Sequence, residues 1–157
     1  MENKSRLREN AIVLIVFGIL NVFMFVATVV KSLVDGTLTE GLANIEPDIL
    51  VAVKVVLVII GVLMTVLAAA DLLLGIKALK VSKNPDASKT YITIAKIFLI
   101  LSAIGVVTHA ISIFNGTASS AIDAGLNTAS ATLSVCVYAL FINSAEAVRK
   151  DYLNGVK

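Results

Sequence analysis

The chain has no tryptophan, one cysteine, one histidine and two prolines in 157 residues, and each scarcity closes off some chemistry. A lone Cys136 cannot form an internal disulfide or run thiol–disulfide exchange, which needs two thiols. His109 alone cannot supply the two axial ligands of a membrane haem b or the two-histidine helix motif of a zinc protease. No glycine-rich phosphate loop is present, and no serine stands beside a basic partner in a hydrolase arrangement. The expectation is no enzyme, no cofactor and no metal. Charge is also scarce, at 15% of residues against roughly a quarter in soluble domains. A formal net charge of +2 gives no reason to expect a nucleic-acid partner.

Apolar residues are abundant instead, at 58%, and mean hydropathy is +0.95. Four runs, residues 11–30, 49–79, 90–114 and 120–145, reach the ~20 residues that a spanning helix needs. The first is longer than the roughly 7–15 apolar residues of a signal peptide and ends Val29-Val30-Lys31-Ser32 without a small-x-small site, so it reads as an uncleaved helix. No linker-like stretch divides the chain. The predicted fold is all-α, a single integral membrane four-helix bundle over residues 1–157, with the lipid bilayer as its first partner.

Of thirteen Lys and Arg, ten fall at the N-terminus (Lys4, Arg6, Arg8), around the middle turn (Lys77, Lys80, Lys83, Lys89) or at the C-terminus (Arg149, Lys150, Lys157). The positive-inside rule then puts both termini in the cytoplasm of a plasma (inner) membrane, with residues 31–48 outside and 80–89 as the inner turn. The outer loop carries Asp35, Glu40, Glu46 and Asp48. It reads as a solvated loop or a cation site, without the spacing of an EF-hand. Local signals set the helix starts: Pro47 in the first turn of the second helix, Asn84 as N-cap with Pro85 at N1 before the third, and Ser120-x-x-Asp123 as a capping box for the fourth.

Polar residues gather on faces. At 100° per residue, Asn10, Gly18, Asn21 and Thr28 fall within about 80°, and Lys54, Gly61, Thr65, Ala68, Asp71 and Gly75 within about 120°. On the third helix Ser102, Gly105, Thr108, His109, Ser112 and Asn115 share about 140°, with Lys96 nearly opposite. The fourth helix differs. Asn127, Thr128, Ser130, Thr132 and Ser134 surround it, and Ala121, Gly125 and Ala129 stand four apart. Hydroxyls and amides on every side of a helix in lipid are expected to meet neighbouring helices or water.

A charge at mid-membrane costs roughly 3 kcal/mol on insertion scales, so the embedded ones need a reason. Asp71 reads as a proton- or cation-binding carboxylate, as a partner of Lys96, or as a protonated acid bonded to Asn21 or a hydroxyl. Lys96 pairs with Asp71 or snorkels to headgroups. Lys54 snorkels or meets Asp123. His109 is a proton relay or a neutral ring bonded to its Ser and Thr neighbours.

Two functions survive. One is a homo-oligomeric channel or transporter-like assembly that passes an ion or small solute along the polar faces of helices three and four. The other is a non-transporting accessory, immunity or scaffold protein, in which the same residues only pack helices together or against a membrane-protein partner.

Overall fold

The computed structural model describes residues 2–34, 47–116 and 121–155. It is all-helical: α1 (Glu2–Val34), α2 (Pro47–Lys83), α3 (Thr90–Phe114) and α4 (Ala121–Leu153). Among the described residues, three stretches, Glu2–Ala27, Thr90–Phe114 and Gly125–Leu153, are long and apolar enough to cross a membrane. The acidic segment at 35–46 and Ser120 lie outside the described residues, as do the side chains of Thr28, Asp48, Lys54, Ala68, Ala121 and Asp123.

Three helices run past their apolar runs. α1 starts at Glu2, α2 ends at Lys83 and α4 continues to Leu153. These polar tails stay helical because each carries apolar residues at helical spacing that pack inward. Leu7, Ala11 and Leu14 in α1, Leu74, Ala78 and Val81 in α2, and Phe141, Ala145 and Val148 in α4 are all 4% exposed or less.

α3 begins later than its sequence signals suggest. Asn84 and Pro85 do not open it; residues 84–89 are non-helical, and Lys89 precedes the first turn without a side-chain cap bond. Asn84 instead completes the end of α2, its N–H donating to the Lys80 carbonyl at 2.9 Å. Asp86 holds the chain in a turn: Oδ1 accepts the Ser88 N–H and Oδ2 accepts Lys77 Nζ, each at 2.9 Å. Such local side-chain bonds compete with helix formation. The far end of α3 and the end of α4 both stop on a glycine with positive φ, Gly116 (65°) and Gly155 (69°). Only glycine takes that left-handed conformation without strain.

The chain divides into two compact units, Met1–Leu14 with Leu74–Lys157, and Ile15–Leu73. In the first, parts of all four helices pack together. Asn3 Nδ2 donates to Asp151 Oδ2 at 2.8 Å, Asn10 Nδ2 to the Leu140 carbonyl and Ser144 Oγ at 3.1 Å each, and Arg149 Nε to the Ala87 carbonyl at 3.1 Å. In the second unit, α1 crosses α2 at Gly18, where an added Cβ would lie 2.9 Å from the Cβ of Asp71. Glycine permits that approach. Cys136 is free and exposed on α4.

Candidate functional site

Within the first unit α3 and α4 run antiparallel along a common seam. Tyr91 meets Phe141 edge-on (centroids 6.2 Å, 81°), Phe98 meets Tyr138 (5.8 Å), and a Cβ on Gly105 would lie 3.9 Å from that of Ala131. The half nearer the basic turn is closed. It holds Tyr91, Ile92 and Ala95 of α3, and Tyr138, Phe141, Ile142 and Ala145 of α4, all buried. Farther out, no described residue of either helix is buried beyond Ala95 or before Val137. By helical spacing the same inward face continues there as Ser102, Gly105, His109 and Ser112 on α3, and Ser134, Ala131 and Asn127 on α4, with exposed Ser130 at its edge. The seam thus changes from apolar and packed to polar and open within one pair of helices.

Four hydroxyls of the open half are bonded within their own helices. Thr108 Oγ1 donates to the Gly105 carbonyl (2.9 Å), Ser112 Oγ to His109 (2.8 Å), Thr132 Oγ1 to Thr128 (2.8 Å) and Ser134 Oγ to Ser130 (2.9 Å). The demand for neighbours or water around α4 is therefore met, for these two α4 hydroxyls, by carbonyls one turn back, the usual resort of Ser and Thr inside helices. Their oxygens still offer lone pairs to a ligand. The register set by Gly105 and Ala131 puts His109, half-exposed, level with half-exposed Thr128 and exposed Asn127. An imidazole, an amide and a hydroxyl at one level can coordinate a polar solute or a dehydrated ion through several weak contacts.

The charged candidates separate. Lys96 Nζ bonds Glu146 Oε1 at 2.6 Å, with both side chains about half exposed, so its partner is Glu146 and not the Asp71 weighed in the sequence. Glu146 lies one residue past the apolar run 120–145, and nothing along the sequence places it level with Lys96, because that depends on the register between α3 and α4. Asp71 is 4% exposed and sits against Gly18 in the second unit. Asn21 lies three residues past Gly18 on α1 and is half-exposed. The side chain of Lys54 lies outside the described set. Among the described residues, no three His, Cys, Asp or Glu side chains gather as metal ligands.

Two features of the closed half have chemical consequences. Tyr91, 3% exposed, carries a buried hydroxyl without a hydrogen-bond partner among the described residues; leaving such a group unpaired costs about 1–3 kcal/mol. In the turn, the Lys77 ammonium bonded to Asp86 is the main cause that holds its carboxyl below the usual value, helped by the Ser88 N–H and opposed by burial. Compared with protein-family descriptions, curated proteins and solved structures, the chain matches none.

Proposed function

We propose that this is a multi-pass inner-membrane protein, with cytoplasmic termini and no enzymatic activity, that admits an ion or small polar solute between the open halves of α3 and α4. Support comes from the change of character along their seam. A face turned to lipid gains nothing from Ser, Asn and His, whereas a face lining a polar path does. Closure by Tyr91 and Phe141 fits a gated or carrier-like route better than a standing pore. The unpaired Tyr91 hydroxyl makes that closure less costly to open. On the opposite side of α4, exposed Gly125, Ala129 and Thr132 fall within about 60° of one another. Such a small-residue line suits a contact with a second copy, so the assembly is read as a homo-oligomer.

The non-transporting reading has one observation in its favour. Hydroxyls that bond their own backbone pack against a partner helix without needing water. Purified protein in liposomes separates the two, with potassium, proton and glycerol flux measured in parallel. We expect wild-type flux above empty liposomes, falling by about ten-fold in folded Asn127→Leu or His109→Ala. No wild-type flux, or flux unchanged in both variants, would leave the accessory or scaffold role. Native mass spectrometry of the same preparation reads the oligomer.

A further inference from the structure

We propose that the basic end of the first unit is a binding surface for anionic phospholipid headgroups; this rests on reading the helices as membrane-spanning. Three segments far apart in the sequence converge there. The Asn3–Asp151 bond (2.8 Å) ties the start of α1 to the end of α4, and the Arg149–Ala87 bond (3.1 Å) ties α4 to the turn before α3. Their cations come together as a consequence. Lys4, Arg8, Lys80, Lys83, Lys89 and Lys150 make no ion pair among the described residues, and all but Lys4 are exposed.

The carboxylates at this end are fewer, and two of them are already neutralised: Glu2 pairs with Arg6 and Asp86 with Lys77. Glu9 and Asp151 accept only from the neutral Ser5 and Asn3, keep their charge, and stand against these six unpaired cations. What remains is a surplus of positive charge spread over three helix ends. The same ends carry exposed apolar residues a turn or two further along, such as Ile12 and Ile76, so the cations stand at the border where headgroup phosphates lie. A soluble phosphate would need several donors converging on one point. Single charges dispersed around a collar match a plane of phosphates instead, each Lys or Arg adding its own attraction to an anionic surface.

The test uses the full chain in vesicles of equimolar phosphatidylglycerol and phosphatidylcholine, extracted gently and weighed by native mass spectrometry. Phosphatidylglycerol should be retained over phosphatidylcholine by about ten-fold, and high salt should erode the preference. The variant K80Q/K83Q/K89Q/K150Q should lose it and K89Q/K150Q lose part, with helical content unchanged, while K96Q keeps it. Equal retention by the wild type, or a preference intact in the fourfold variant, overturns the proposal. So does loss of bound lipid on adding millimolar inorganic phosphate, which would assign the site to free phosphate. Carbonate extraction separates the levels. Protein washed off the membrane sinks the membrane-spanning reading and this one together, whereas resistant protein without lipid preference sinks this one alone.

Discussion

The two halves of the α3–α4 seam share one backbone geometry and differ in what they do with it. Near the basic turn, Tyr91, Ala95, Phe141 and Ala145 are buried and the helices interlock. Beyond Phe98 and Val137 the facing residues turn to Ser, Gly, Ala, His and Asn, and no described residue of either helix is buried. Burial is therefore concentrated at one end, which suits holding the helices together, while the other end leaves its side chains accessible, as the proposed path requires. An antiparallel helix pair can carry both tasks because each is local to a few turns.

The sharpest way to break this contrast is Phe141→Ala. Removing a fully buried ring should cost about 3–5 kcal/mol in denaturant unfolding from detergent, whereas Leu133→Ala in the open half should stay within about 0.5 kcal/mol. Equal losses would erase the distinction between the halves. Glycine offers a second comparison. Gly18→Ala drives a Cβ to 2.9 Å from that of Asp71 and should destabilise by about 1–3 kcal/mol. Gly105→Ala meets Ala131 at 3.9 Å, an ordinary contact, and should be neutral or stabilising by up to about 1 kcal/mol through helix propensity.

Tyr91→Phe sharpens the reading of the closed half. Deleting a buried hydroxyl that has no partner should raise stability by about 1 kcal/mol and, where the closure gates a path, slow flux in liposomes. A loss of stability would mean that the hydroxyl has a partner in solution. The smallest effect concerns pH at the turn. Because the folded state lowers the Asp86 pKa, its contribution is complete above the unfolded value of about 4 and drains away as pH falls through the lower folded one. Hydrogen exchange at the Ser88 amide should quicken beyond its intrinsic rate over that acid range in the wild type. Asp86→Asn should show no such step.

The number of helices could be read from apolar run length, though three of them extend past their runs, and Pro47 marked the start of α2 because a proline at a helix start leaves no N–H unmet. The wheel placed Asn10, Gly18 and Asp71 on interior faces, and they are respectively hydrogen-bonded to α4, pressed against α2 and buried. What a wheel cannot supply is register between helices. Nothing along the sequence says that Lys96 stands level with Glu146, since that depends on how two helices slide past each other until Tyr91 meets Phe141. The turn at Asp86 was missed for a different reason. Asn84-Pro85 is a sound helix start taken alone, and it lost to a carboxylate that found both Lys77 and the Ser88 amide. At Thr132 and Ser134 the polarity of α4 makes less demand on its surroundings than hydropathy suggests, because hydropathy counts a hydroxyl as a demand even where a carbonyl of the same helix already meets it.

Cys136 stands one residue before the point on α4 where burial begins, on the side turned away from α3. The protein therefore carries a single native attachment point for a spectroscopic reporter, and no other cysteine has to be removed to use it. A nitroxide placed there would tumble freely against acyl chains if that side faces lipid, and would show dipolar broadening from a second label if two copies meet along α4. The arrangement of whole molecules in the bilayer thus becomes measurable from one natural thiol, without altering any residue of either half of the seam.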